Sequence, residues 1–234
     1  MLIIYANKQV QYDLIVNSRF KQQLIRDAEA VIARHPTLSV KWKDEYPVKI
    51  IGNFIVADDQ GLPQGDFDIE VRVPAAYPYA FPTLKETSEK ILPRTQDRHI
   101  DVNGVICYEN PRTLEVLRHQ GLTLVNFFRR YVHPFFCWQL LYDIEGPGQL
   151  SGWSHGSRGI KEFYADTLRT NDEQAIRAIL SAIVTHSLPG RNDACICGSG
   201  NKYKRCHVTL IQELSRLPFK TLAEDLTLFE GGVE

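Results

Sequence analysis

The chain has 234 residues, with 27 lysines and arginines against 28 aspartates and glutamates, for a net charge of −1. This length allows one domain of ordinary size, a small appendage and a substantial core. The balanced charge gives no electrostatic footprint for nucleic acid or an anionic membrane, so neither is predicted as a partner. Because the sequence shows no signal-peptide pattern and no long apolar run, we expect a cytoplasmic protein.

The first half of the chain has the pattern of a helix followed by antiparallel strands. Apolar residues recur at helical spacing over residues 20–32, Ser18 is the expected N-cap, and His35-Pro36 ends the predicted helix. Turn residues occupy 58–61 and 63–66. Strands are predicted for residues 38–42, 48–57, 67–73 and 83–86.

The second half is predicted to be mainly helical. Residues 77–82 contain two prolines and predict a rigid turn, and residues 113–118 predict a helical turn. Residues 122–142 are too apolar for a surface helix, so we expect a buried helix that Pro134 breaks or kinks. A loop at 146–159 and further helices are then predicted, the helices at residues 159–164, 172–186 and 208–217. Asn171 or Asp172 is the expected N-cap of the second of these helices.

Cys107 lies just after a glycine-containing turn, in the run Gly104-Val105-Ile106-Cys107-Tyr108. An isolated cysteine among apolar residues is most often a small buried side chain, and a reactive thiol is the alternative. His99, eight residues upstream, is either a functional group or a residue that holds the loop through backbone hydrogen bonds. Asp97, Asp101 and Asn103 are weaker polar candidates. Cys137, in the apolar helix, is expected in the core.

The order of these elements resembles that of ubiquitin-conjugating enzymes. In that family a Tyr-Pro-x-x-x-Pro segment precedes a His-Pro-Asn tripeptide, and a Gly-x-Ile-Cys-Leu run carries the cysteine that forms a thioester. Residues 77–82 and 104–108 match the first and last of these motifs. His99 stands at the position of the tripeptide's Asn, a departure characteristic of bacterial relatives. The resemblance covers about residues 18–145 and implies an α+β fold, with an antiparallel meander flanked by helices.

The resemblance implies acyl transfer through Cys107. Its thiolate would accept an activated carboxylate as a thioester, which an amine then attacks. His99 would stabilise the oxyanion or accept the amine's proton. No phosphate-binding glycine motif is present, so a separate activating enzyme or a pre-activated substrate is required. Two alternatives remain open: a non-catalytic binding module of the same fold, and a hydrolase that uses Cys107 and His99 as a dyad.

Bacterial members of this group are typically found in antiphage defence operons beside a cGAS-like nucleotidyltransferase. The resemblance therefore implies that a ubiquitin-like modifier or that synthase is the protein substrate, which the enzyme conjugates or primes.

Four metal-ligating residues cluster near the C-terminus as Cys195-x-Cys197-x8-Cys206-His207. This spacing, with Gly198-Ser199-Gly200 between them, predicts a closed tetrahedral zinc site that is structural because all four ligands come from the protein. The chain has five cysteines, an odd number that argues against a disulfide framework. The cluster resembles the SEC-C motif, named from the C-terminus of the bacterial translocation ATPase. There the motif binds a chaperone, which implies a docking module here.

These interpretations divide the chain into four parts. A ubiquitin-conjugating-like domain spans 1–165, a helical connector 166–188, a SEC-C zinc knuckle 189–208 and a tail with a short helix 209–234. Because Leu188-Pro189-Gly190 marks a boundary, a chain that ends at Leu188 is expected to keep a folded N-terminal domain.

Overall fold

The computed structural model describes residues 20–43, 46–146 and 154–230, so the predicted N-cap Ser18 and half of the predicted loop at 146–159 lie outside the described residues. The fold is α+β and its contacts group into two compact units. Residues 20–108 and 120–146 form the sheet unit, and residues 109–119 and 154–230 form the helical unit. Within the described ranges, every helix is too short or too polar to cross a membrane.

The sheet unit contains an antiparallel meander preceded by a helix. Residues 20–34 are helical and are called α1. Four strands then pair with their neighbours in chain order, as predicted: β1 Leu38–Lys43, β2 Tyr46–Ala57, β3 Pro63–Arg72 and β4 Thr83–Glu86. Buried positions alternate in β3, at Phe67, Ile69 and Val71, and in β4, at Leu84 and Glu86. This alternation places one face of the sheet on the core.

The turn between β2 and β3 is shorter than the sequence predicts. The Asp58 carboxylate accepts the backbone N–H groups of Gln60 and Leu62, each at 2.9 Å, and so closes the turn within residues 58–62. Ala57 then pairs directly with Pro63. The predicted turn at 63–66 is therefore wrong, because these residues form the start of β3, where proline is tolerated at the first position.

The apolar helix runs without interruption from Leu124 to Glu145 but changes type along its length. It comprises α3 Leu124–Phe127, a π-helical turn Phe128–Val132 and α4 His133–Glu145. In place of the expected break at Pro134, the helix contains this π-turn, which ends two residues before Pro134, the residue that lacks a backbone donor. The predicted burial holds for the helix up to Phe136, which is fully buried and stacks on Phe67 at a ring-centroid distance of 4.6 Å, whereas Leu141 and Ile144 near its end are exposed.

The helical unit contains five α-helices within its described residues: α2 Pro111–Leu117, α5 Gly156–Leu168, α6 Glu173–Val184, α7 Val208–Leu214 and α8 Phe219–Leu226. The predicted cap of α6 is confirmed, because the Asp172 carboxylate accepts the N–H groups of Gln174 and Ala175. Helix α5 begins at Gly156, inside the predicted loop. Helix α8 was not predicted, although Pro218 precedes an apolar pattern of helical spacing.

One apolar core joins the helices of this unit to the segment that carries the cysteine cluster. Its members come from α2, α5, α6, α7, α8, the segment 195–203 and the 3-10 turn Thr227–Phe229, and include Phe163, Tyr164, Ile176, Ile179, Cys195, Tyr203, Ile211, Leu214, Leu222 and Phe229. A buried ion pair supplements this core: the Arg112 guanidinium donates two hydrogen bonds of 2.7 Å to Asp225, which also accepts the Tyr164 hydroxyl at 2.8 Å.

This grouping differs from the division predicted at residues 165 and 188. The proposed connector, residues 166–188, and the cysteine-bearing segment share one core, so the boundary at Leu188-Pro189-Gly190 lies within a packed unit.

We therefore predict that truncation after Leu188 unfolds the helical unit. The truncation removes α7 and α8 and exposes the apolar faces of α5 and α6, at a cost of about 25 cal/mol for each Å² of apolar surface left in water. Far-ultraviolet circular dichroism should show loss of helix beyond the residues deleted, and a dye that binds apolar surface should fluoresce. A chain truncated after Glu230, which keeps all the described helices, is the control. Full retention of α5 and α6 without dye binding would refute the shared core.

Candidate functional site

Cys107 lies at the end of a short backbone hairpin that adds to the free edge of β4. The Ile106 N–H donates to the Leu84 carbonyl at 2.9 Å, and the Glu86 N–H donates to the Gly104 carbonyl at 2.8 Å. Gly104 has a φ of +82°, and a Cβ there would collide with the Glu86 carbonyl oxygen. Glycine is therefore required for the hairpin to approach the strand.

The tip of this hairpin is held by Asp101. Its carboxylate accepts the N–H groups of Asn103 at 2.9 Å and Val105 at 2.7 Å, and the Asp101 N–H donates to the Val105 carbonyl at 2.9 Å. These bonds form a closed turn of the kind that aspartate favours. Two of the weaker polar candidates, Asp101 and Asn103, thus have a structural role that orients the residues before Cys107.

A buried ion pair beneath the hairpin supports its contact with β4. The Glu86 side chain is fully buried and accepts hydrogen bonds from Arg94 at 2.8 Å and from the backbone and hydroxyl of Ser88 at 2.7 and 2.5 Å. Arg94 also donates to the Glu86 carbonyl at 3.3 Å. Because a buried carboxylate is stable only when its hydrogen-bonding capacity is used, this network fixes residues 86–94 as one piece.

His99 contacts Cys107 through its backbone and α4 through its ring. The Cys107 N–H donates to the His99 carbonyl at 2.8 Å, and the His99 ring packs edge-on against Trp138 with centroids 5.6 Å apart. His99 has a φ of +51°, in the left-handed region that non-glycine residues seldom occupy. The structure therefore places the two predicted site residues side by side.

Arg98 anchors this part of the chain and was not singled out from the sequence. Its side chain is only 3% exposed. It donates to the Leu92 carbonyl at 2.7 Å, to Gln139 at 2.9 Å and to Asp143 at 2.5 Å. Gln139 in turn donates to the Arg98 carbonyl at 2.9 Å. Because α4 holds both the side chain and the backbone of Arg98, it also fixes the start of the segment that carries His99.

The Cys107 side chain is exposed, so the expectation of a small buried residue does not describe it. Partial burial of the sulfur and the nearby Asp101 carboxylate nevertheless raise the pKa of its thiol. Cys137 is half-buried rather than fully in the core, with its sulfur 3.5 Å from Nδ1 of His133. Burial raises the pKa of the Cys137 thiol as well. Cys107 is therefore the more accessible of these two thiols.

In the helical unit, the four residues predicted as metal ligands converge on one point. Their ligand atoms all lie within 4.8 Å of one another. The sulfurs of Cys197 and Cys206 are 3.6 Å apart, and Nδ1 of His207 lies 3.3 Å from the Cys195 sulfur and 3.1 Å from that of Cys206. These separations are close to the roughly 3.5–3.8 Å expected between ligands around a tetrahedral zinc ion. The residues present thus fit a metal of this class.

The backbone around the cluster folds back on itself as the glycine spacing predicts. The Cys195 N–H donates to the Asn201 carbonyl at 2.7 Å, and Ala194 pairs with Lys202 in an isolated antiparallel bridge. Gly198 and Gly200, between these partners, have φ values of +77° and +74°. Their left-handed conformation reverses the chain and returns Cys206 towards the first two cysteines.

His207 connects the cluster to α5. Its Nε2 lies 3.0 Å from the carbonyl oxygen of Leu168, to which it donates, so its Nδ1 faces the sulfurs as an acceptor. A hydrogen bond from the second ring nitrogen to a carbonyl is the usual support of a metal-binding histidine. Since Leu168 is the last residue of α5, the cluster is attached to the core of the helical unit.

The cysteines of the cluster differ in acidity. Burial raises the pKa of the Cys195 thiol to about 11. Burial also opposes ionisation of Cys197, but hydrogen bonds with the Ser199 hydroxyl and backbone lower the pKa of that thiol to about 6. Metal ligation requires thiolates, and a bound cation favours the deprotonated form of every coordinating sulfur. Of these two thiols, Cys197 is the one that ionises more readily.

Comparison with known proteins identifies the region of the cluster. Residues 191–207 match the family model of the SEC-C motif. A stretch of 25 residues is 68% identical to the protein translocase subunit SecA of Chlorobium luteolum, which represents 11% of this chain and 2% of that protein. The chain thus matches only a small part of the length of that relative. The likeness establishes a SEC-C motif whose Cys and His residues form a candidate metal centre.

The acidity of Cys107 can be tested without knowing its substrate. We predict that Asp101→Asn, which keeps the accepting oxygen but removes the negative charge, lowers the pKa of the Cys107 thiol. The rate of alkylation of Cys107 by iodoacetamide, followed by mass spectrometry of its peptide, should then reach its midpoint at a lower pH than in the wild type. Asp97→Asn, a nearby exposed position, is the control. A midpoint that stays the same or rises in Asp101→Asn would contradict the role assigned to this carboxylate.

Proposed function

We propose that this chain is a cysteine acyltransferase of the ubiquitin-conjugating type that carries an acyl thioester on Cys107. The observation that supports this most is the exposure of Cys107 at the end of a hairpin held by β4 and α4. A nucleophile that exchanges acyl groups with other proteins has to be accessible while its backbone remains fixed. The meander order and the alignment of Cys107 with the family's cysteine also favour this function.

The proposed reaction has two steps. The Cys107 thiolate attacks the activated carboxyl carbon of a modifier and displaces its leaving group, which forms the thioester. An amine of the acceptor then attacks the same carbon, the carbon–sulfur bond breaks and an amide forms, while a base takes the proton of the amine. His99 is the proposed donor to the oxyanion or the proton acceptor, because it is adjacent to Cys107.

A hydrolase with a Cys107–His99 dyad is the weaker alternative. Such enzymes activate their thiol by lowering its pKa next to a cationic histidine. Here the pKa of the Cys107 thiol is raised, and Asp101 contributes to the rise. The contact with His99 is a backbone hydrogen bond of 2.8 Å from the Cys107 N–H. The non-catalytic binding module is favoured only by the absence of the His-Pro-Asn tripeptide.

The cellular setting follows from the resemblance of the first part of the chain to bacterial members of the family. We propose that the chain acts in antiphage defence, conjugating or priming a cGAS-like nucleotidyltransferase with the help of a separate activating enzyme or a pre-activated substrate. Accessible thiols of this kind persist in a reducing compartment, so a cytoplasmic location is part of the proposal.

We also propose that the cluster of Cys195, Cys197, Cys206 and His207 holds a structural zinc ion. Bound zinc would cross-link the segment, and with four protein ligands it would have no open position for chemistry. The bond from His207 to Leu168 would connect this cross-link to α5. SecA gives its name to the motif, and a docking role for the SEC-C segment here is proposed from that likeness.

Substitution of Cys107 tests the acyltransferase proposal. We expect Cys107→Ala to abolish thioester formation with little change in thermal stability, because the side chain is exposed. The thioester should appear as a higher-mass species of the tagged wild-type protein on a non-reducing gel and disappear with reductant. Cys137→Ala is the matched control and should form the species normally. His99→Ala should still form it but transfer the acyl group ~10²-fold more slowly.

Each contrary result has a distinct meaning. Full biological activity of Cys107→Ala would refute the enzyme and favour the binding module. Release of a free carboxylate from the loaded wild type, at a rate that exceeds transfer to amines, would favour the hydrolase. A His99→Ala protein that does not fold would leave His99 with a structural role.

The metal is tested independently by elemental analysis. Purified protein should contain one zinc ion per chain, and Cys206→Ser should lose it, while Cys137→Ser should retain it. Because His207 connects the cluster to α5, removal of the metal with a chelator should also lower the melting temperature of the helical unit. Little or no zinc in the intact protein, or an unchanged melting temperature after complete removal, would contradict this account.

A further inference from the structure

A pocket of about 360 Å³ lies within the helical unit, between α2, α5 and α7. Its apolar floor is formed by Val116 and Phe163, which are buried, and by Leu117 and Leu210, which are half-buried. The volume is sufficient for one large side chain together with part of its backbone. The floor alone favours an apolar group but does not identify one.

The charges on the rim of the pocket limit the kind of ligand that the pocket can bind. Asp166 on α5 and Glu213 on α7 are exposed there, and Arg169 follows the end of α5. In the described ranges, neither carboxylate forms an ion pair or a side-chain hydrogen bond. Two carboxylates against one guanidinium give the rim a net charge of −1.

The backbone adds to this negative character. Asp166 and Thr167 belong to the last turn of α5, a helix of 13 residues whose C-terminal end carries a partial negative charge. A cationic side chain near these carboxylates is therefore favoured by both the side chains and the helix. Next to an apolar floor, this combination suits a long basic side chain, whose methylene stem packs on apolar surface while its charged end meets the acids.

His207 fixes the relative positions of α5 and α7, the two helices that carry Asp166 and Glu213. Its ring donates to the carbonyl of Leu168, the residue between Thr167 and Arg169 on the α5 wall. Helix α7, the other wall, begins directly after His207. The spacing between Asp166 and Glu213 is therefore set before a ligand arrives, which reduces the entropy lost on binding.

We propose that this pocket binds a basic peptide segment in which a lysine or arginine is adjacent to a large aliphatic residue. The aliphatic side chain packs on the floor, and the cation lies between Asp166 and Glu213. This binding does not depend on the acyl transfer proposed for Cys107, and it gives the helical unit a ligand of its own.

The test is a nuclear magnetic resonance titration of the full chain with the peptide acetyl-Gly-Lys-Leu-Lys-Gly-amide. We expect saturable shifts at Leu117, Phe163 and Leu210, and weaker binding at higher salt. Peptides with Leu replaced by Ser, or with both Lys replaced by Glu, should bind at least tenfold more weakly. Asp166→Asn and Glu213→Gln should each weaken binding roughly two- to fivefold, as the loss of an exposed charge pair does.

Glu224→Gln, at an exposed carboxylate of α8 outside the pocket, is the matched control and should bind like the wild type. The proposal is overturned if no saturable shift occurs, if the shifts lie outside the pocket, or if the Glu-containing peptide binds equally well. It is also overturned if both carboxylate variants bind with wild-type affinity. All three substitutions are at exposed positions, so their binding can be compared in folded protein.

Discussion

The position of Cys107 depends on the close approach of the backbone at Gly104 to β4. Only a residue without a Cβ fits against the Glu86 carbonyl oxygen in this conformation. That approach allows Gly104 and Ile106 to pair with the strand, and the chain then emerges from the sheet edge at Cys107. The exposure of the thiol thus results from a tightly packed backbone. A flexible loop would expose the sulfur equally well but would not hold it next to His99.

A comparable constraint operates in the helical unit through the two nitrogens of His207. One nitrogen contacts the sulfurs of Cys195 and Cys206, and the other donates to the last carbonyl of α5. A side chain that contacts both the cysteine sulfurs and α5 cannot belong to a segment that folds independently of α5. The same is true of Cys195 and Tyr203, which are buried in the core that α5, α6, α7 and α8 share. The motif is therefore an integral part of this unit, even though its sequence is short and recognisable on its own.

The sequence predicted those features that depend on local patterns. Alternation located the strands, Asp172 marked the start of α6, and ligand spacing identified the cysteine cluster, because each of these arises within a few residues. Helix α8 has a local pattern as well and could have been found from the spacing of its apolar residues. The start of β3 was predicted wrongly because the turn chemistry of Asp58 closed the chain earlier than the glycines and prolines indicated.

Features that depend on distant contacts could not be predicted in this way. Arg98 looks like an ordinary surface residue in the sequence, and its partners Gln139 and Asp143 are 41 and 45 residues away. The Glu86–Arg94 pair is closer, but its burial depends on the hairpin that covers it. Nothing in the sequence shows that the core of residues 154–230 includes the cysteine-bearing segment, since the residues Leu188-Pro189-Gly190 are typical of a linker.

The acidity of each cysteine likewise depends on the groups that surround its thiol. Hydrogen bonds with Ser199, two residues away, and with Cys195 and Cys206 lower the pKa of the Cys197 thiol, so this shift arises within the motif. For Cys107, partial burial and the nearby Asp101 carboxylate keep the thiol protonated to higher pH. A thiol of high pKa forms a more nucleophilic thiolate once deprotonated, but it is a poorer leaving group from a thioester. For the acyl transfer proposed for Cys107, a poorer leaving group means that transfer would require an amine acceptor and an oxyanion donor that are well placed.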